Sequence, residues 1–150
     1  MKREYSVAEL VPHSGRMSLL SEIVDYGDGW LQAEVVISRE STFADALGVP
    51  AWIGLEYMAQ AIAAYSGLEE RLQGGKPKIG FLLGSRKYEC NVERFAIGQT
   101  VRVRVQPEML GSNGLNVFNC ELEGDGISAQ AVVNVFQPDD ADAFLQDALQ

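Results

Sequence analysis

Two polar residues interrupt an otherwise apolar run, and they are the first place to look for chemistry. Glu56 and Gln60 are the only strongly polar groups in the first three turns of the segment that follows Pro50. Their i, i+4 spacing puts them on one face if the segment is helical. A carboxylate left unpaired in a core costs on the order of several kcal/mol, so Glu56 has a buried partner, titrates high, or faces a cavity. A structural alternative has Glu56 capping a backbone group or pairing with an arginine. Gly54, two residues before Glu56, lacks a Cβ, which lets either a substrate or a packing neighbour come close. The single histidine, His13, follows Pro12 in what reads as a loop before a strand. It is either a general base or an ordinary hydrogen-bonding residue. One histidine and two distant cysteines, Cys90 and Cys120, with no CxxC spacing exclude a His/Cys zinc cluster. No metal and no cofactor are expected.

The elements that must position these residues follow from the pattern. Pro50 suits the first turn of a helix running to about Leu72, closed by Gly74-Gly75. Ile53, Leu55, Tyr57, Met58, Ala59 and Ile62 make it apolar nearly all round, so other elements must enclose it. Glu56 and Gln60 in its interior suit a core helix better than a membrane span. Segments 19–26 and 30–37 read as strands joined by Gly27-Asp28-Gly29, with 39–49 as a loop-like connection. Further strands fill about 78–136, with turns at Asn113-Gly114 and Asp125-Gly126. Ser6-x-x-Glu9 predicts a short capped helix over 6–10, and 139–149 reads as an acidic helical tail. One long helix among about six antiparallel strands is an α+β arrangement with few ways to close: the sheet wraps the helix.

Length and composition set the frame. The 150 residues are 47% apolar and 22% charged, which suits a single globular domain over 1–150. A formal charge of −9 argues against nucleic acid as a partner. The N-terminus lacks the apolar core of a signal peptide, so a cytoplasmic location is expected. Basic residues concentrate in 71–104 (Arg71, Lys76, Lys78, Arg86, Lys87, Arg94, Arg102 and Arg104 against Glu89 and Glu93). That stretch is either a docking face for an acidic carrier protein or an ordinary solvated strand face.

Four segments carry a resemblance. Glu56-Tyr57-Met58-Ala59-Gln60 resembles the E-x-M-A-Q segment on the central helix of hot-dog β-hydroxyacyl-acyl-carrier-protein dehydratases. Val11-Pro12-His13 followed by Met17 to Asp25 resembles their L-P-H segment and first strand; Arg94 to Val101 and Gly126 to Phe136 resemble two later regions. Pro12-His13, Met17, Leu19 and Leu20 are more similar still to the small dehydratase-like proteins of aryl polyene biosynthesis. The resemblance covers most of 10–136. It implies the hot-dog fold, a homodimer or a heterodimer with another hot-dog subunit, and dehydration of 3-hydroxyacyl thioesters held on acyl carrier protein. In that scheme His13 is the base, Glu56 the acid, N–H groups near Gly54 the oxyanion donors, and Gln60 orients Glu56. The chain departs from the family where its usual histidine aligns with Thr42, whose hydroxyl is no base near neutral pH. Two alternatives accompany that departure: an acyl thioesterase, or a non-catalytic subunit that lends Glu56 to a partner's histidine.

Overall fold

The computed structural model describes residues 4–11, 15–73, 81–110 and 113–137. A six-stranded antiparallel sheet of order β1-β2-β6-β7-β8-β4 holds β1 (Glu22–Gly27), β2 (Trp30–Val36), β4 (Phe81–Cys90), β6 (Thr100–Leu110), β7 (Leu115–Gly124) and β8 (Ile127–Phe136). β3 (Gly48–Pro50) and β5 (Arg94–Ala96) form a separate two-stranded ladder. The sheet packs against α2 (Gly54–Leu72), chiefly through β6, β2 and β7. This is the hot-dog architecture.

Period-two alternation builds the concave face. Ala33 pairs with Val103, Val103 with Leu122, and Leu122 with Ala129, so one inward row crosses four strands, all of it buried. The next row outward is Glu34, Arg102, Glu123 and Ser128. A one-residue slip would exchange these rows, which fixes the register. Tyr57, Met58, Ala61, Ile62, Ala64, Tyr65 and Leu68 of α2 fill the enclosed side.

Four local features differ from the sequence reading or sharpen it. β1 begins at Glu22 rather than near Leu19, because the Leu19 N–H is taken by a side chain of α2 instead of a ladder partner. Pro50 closes β3, and a 3-10 turn over Ala51–Ile53 precedes the helix, so the α-helix proper starts four residues later than the proline. The 39–49 connection contains the first two residues of β3. The short helix α1 (Val7–Leu10) carries the complete capping box, Ser6 Oγ accepting from Glu9 N–H and the Glu9 carboxylate accepting from Ser6 N–H. It docks on α2 where Gly67 leaves room for the Leu10 carbonyl. Gly74-Gly75 and the 139–149 tail lie outside the described residues.

Candidate functional site

Gln60 is the organising residue. It is fully buried one helical turn beyond Glu56, and its amide is used at both ends. Oε1 accepts from Leu19 N–H at 2.8 Å, while Nε2 donates to the Met17 carbonyl at 2.7 Å and to Glu56 Oε1 at 3.2 Å. One side chain therefore pins the segment entering β1 to the helix and holds one oxygen of the half-buried Glu56. A buried amide bonded on both sides is rigid, because releasing any partner leaves a polar group without water.

A second tether reaches the same segment from another loop. Thr42 Oγ1 donates to the Arg16 carbonyl at 2.6 Å. Its hydroxyl is spent on positioning, in keeping with the absence of a base at that place. Asp45 anchors the loop carrying Thr42 to β5. The Asp45 carboxylate accepts from Leu47 N–H at 2.8 Å and Gly48 N–H at 3.1 Å and pairs closely with Arg94. These contacts, the Leu47 N–H first, hold the Asp45 carboxyl below its ordinary range. Gly48 adopts φ +145, and a Cβ there would collide with the Phe95 carbonyl, so only glycine permits this approach.

Between these tethers lies a cavity of about 410 Å³. Leu19, Leu20, Val35 and Val36 give it apolar walls, Ser18, Ser41 and Thr42 give it hydroxyls, and α2 contributes Tyr57. Burial pushes the Tyr57 phenol up to about 12. The sequence reading passed over Tyr57. Its signal was a polar-tipped ring next to Glu56 in an apolar helix, since a buried tyrosine usually demands a hydrogen-bond partner.

Gly54 faces the core. A Cβ on it would collide with the Tyr88 hydroxyl and Leu122 Cδ1, so its missing side chain serves packing, the second of the two roles open to it. Its N–H points back to the carbonyls of Ala51 and Trp52 within the 3-10 turn. It is therefore already engaged and is not an open oxyanion donor. Tyr88 in turn donates to the Ala51 carbonyl, and Ala51 N–H donates to Glu93 O at 2.9 Å. Burial raises the Tyr88 phenol well above its usual value. The start of α2 is thus clamped from β4 and from the β4–β5 connection.

The structure brings Glu56, Gln60 and Gly54 onto one helix and links the first two directly. His13 lies outside the described residues, between Val11 and Gly15. Three residues of the basic stretch are matched by acids. Arg71 pairs with Glu9 at 3.7 Å, Arg94 with Asp45, and Arg102 with Glu34 at 3.5 Å, while Arg104 lies 4.4 Å over the Trp30 ring. Among the described residues no group of His, Cys, Asp and Glu is placed to hold a metal ion. No helix among them is long and apolar enough to cross a membrane.

Comparison with known proteins follows the geometry. The model of the ApeP-like family, described as ApeP dehydratase, matches residues 5–146. Among solved structures, the dehydratase heterocomplex ApeI:P from Xenorhabdus doucetiae is similar at 26% identity and a TM-score of 0.88, covering 99% of this chain and 100% of that one. Cj0977, a sigma28-regulated virulence protein from Campylobacter jejuni, shares the fold at 14% identity and a TM-score of 0.61, over 89% and 96% of the two chains. A hypothetical thioesterase with coenzyme A from Streptococcus pneumoniae shares it at 15% identity and a TM-score of 0.55, over 77% and 84%. No curated protein matches the sequence.

Proposed function

The chain belongs to the ApeP-like dehydratase family, and from that premise we propose that it dehydrates 3-hydroxyacyl thioesters carried on an acyl carrier protein, in an aryl-polyene-type system and in a pair of hot-dog subunits. The observation that carries the proposal is a family match spanning residues 5–146. The hydrogen-bonded Glu56–Gln60 pair on the central helix supports it.

The chemistry follows from the substrate. A base takes the α-proton, and the C–H electron pair moves into an enolate whose charge rests on the thioester oxygen. When the carbonyl re-forms, the electron pair makes the C2–C3 double bond, the C3–O bond breaks, and the departing hydroxyl takes a proton to leave as water. Glu56 is assigned the proton delivered to that hydroxyl. Gln60 holds Glu56 Oε1, which fixes the carboxyl plane. His13 is assigned the α-proton within this chain.

A second reading has its own observation. Thr42 stands where the related dehydratases carry their histidine, and its hydroxyl is committed to the Arg16 carbonyl. In a mixed dimer, a partner's histidine would act with this chain's Glu56. The heterocomplex of the Xenorhabdus relative is the precedent for such a pair. Thioester hydrolysis is the weaker alternative, because the thioesterase-like structure shares only the fold.

Mass spectrometry of a carrier-bound 3-hydroxyacyl substrate, with this chain alone and with a second, histidine-bearing hot-dog dehydratase subunit, tests both readings. Loss of water with the carrier still loaded is expected. Free carrier thiol without loss of water would sink the dehydratase reading, and activity only in the mixture would select the partner form.

A further inference from the structure

Tyr57 is 98% buried yet has no hydrogen bond to satisfy its hydroxyl among the described residues, and it lines the 410 Å³ cavity. Asn134 Oδ1 is the one polar side-chain atom among the described residues that is both fully enclosed and unpartnered. The Tyr57 oxygen therefore keeps contact with open space, and the cavity is the space it lines. A hydroxyl that has no protein partner and reaches the cavity is free to bond a ligand there. The ring is held independently of the hydroxyl by Phe95, 5.9 Å away centroid to centroid. A rigid donor at the wall of a cavity of ordinary ligand size, lined by apolar side chains on one side and by hydroxyls, Arg16 and Glu40 elsewhere, is a usual form of a specificity group.

We infer that this cavity holds the acyl group and that the Tyr57 O–H donates a hydrogen bond to an oxygen of it. The inference rests on the dehydratase reading for the identity of the ligand. Two oxygens have the required acceptor chemistry, the carbonyl at C1 and the hydroxyl at C3. Leu19, Leu20, Val35 and Val36 supply apolar contact for the hydrocarbon, and Tyr57 reads the oxygen. Burial keeps the phenol protonated, up to about 12, so it stays a donor throughout the neutral range. Tyr57 neighbours Glu56 in sequence, and successive helical residues diverge by about 100°, so the two side chains address different parts of a ligand.

The probes are two non-hydrolysable acyl-pantetheine amides, one 3-hydroxylated and one without the 3-oxygen, titrated by calorimetry into the chain, alone and mixed with a second hot-dog dehydratase subunit. Tyr57→Phe keeps the ring against Phe95 and removes only the donor. It should weaken binding about tenfold, the loss of one buried hydrogen bond. Weakening of both probes assigns the donor to the carbonyl, and weakening of the 3-hydroxylated probe alone assigns it to the 3-hydroxyl. Unchanged affinity for both overturns the inference. Ser18→Trp, at a half-buried cavity wall outside the strands, takes up the space and should weaken both probes; undiminished binding would show that the acyl group lies elsewhere. The dehydratase reading fails separately, if the unmodified pair binds the probes but removes no water from a carrier-bound substrate.

Discussion

Gln60 joins what would otherwise be two separate parts of the molecule. Replacing it with Leu would leave the Leu19 N–H and the Met17 carbonyl unmatched in a part-buried setting, each worth about 1–3 kcal/mol. Gln60→Leu should therefore lower the urea midpoint by an amount equivalent to about 2 kcal/mol and lower turnover together with it. Glu56→Gln should behave differently, cutting turnover a hundredfold or more with the midpoint nearly unchanged, because a half-exposed carboxamide can keep the bond to Gln60. Equal loss of stability in the two variants would make Glu56 a structural residue. The sequence singles out this pair because polar groups are rare in the helix. The partners of Gln60 were not legible, since they are backbone groups 41 and 43 residues away whose amides look like any others. Tyr57 was missed for a related reason: tyrosine in an apolar helix counts as core until its hydroxyl is found without a mate.

At the scale of elements, legibility follows length. The α2 helix, the β1–β2 hairpin and the turns at Gly114 and Gly126 all carry long periods or strong turn residues, and each is found, with only the starts of α2 and β1 displaced by three or four residues. β3 and β5 are three residues each, too short for any alternation to register, so a loop and an undivided strand region were read in their place. The Gly67 contact was equally hidden, because a glycine within a helix says nothing about what approaches it. A Cβ at Gly67 would drive into the Leu10 carbonyl, a backbone atom that cannot swing aside as a side-chain tip does. Gly67→Ala should push α1 off α2. Overpacking costs about 1–3 kcal/mol, and the better helix propensity of alanine offsets up to about 1. We expect Tm to fall by about 2–4 °C, with faster amide exchange in Val7–Leu10. A Tm at or above that of the parent would show that α1 contributes nothing to the fold.

For the whole molecule, the open question is what covers the surfaces that a lone hot-dog leaves bare. β4 is a ten-residue edge strand, hydrogen-bonded to β8 on one side only within the described sheet, and a long edge strand recruits a partner unless something blocks it. Phe43 and Trp52 are exposed and in ring contact at 6.2 Å, and Leu47 is 68% exposed, so apolar surface also lies around the start of α2, one turn from Glu56. A second hot-dog sheet continuing across β4 would cover the edge, and the family's heterocomplex shows that such subunits do assemble. In the sequence, assembly is implied by the family resemblance alone; the exposed edge depends on strand order, which the hydropathy pattern does not specify. Light scattering of this chain mixed with a second hot-dog dehydratase subunit should give a stable complex. Amide exchange in 84–90 should slow severalfold relative to this chain alone, while β1, at the opposite edge, stays unchanged. A clean monomer at micromolar concentration in the mixture, with β4 amides exchanging freely, would remove both the edge pairing and any site completed by a partner's histidine.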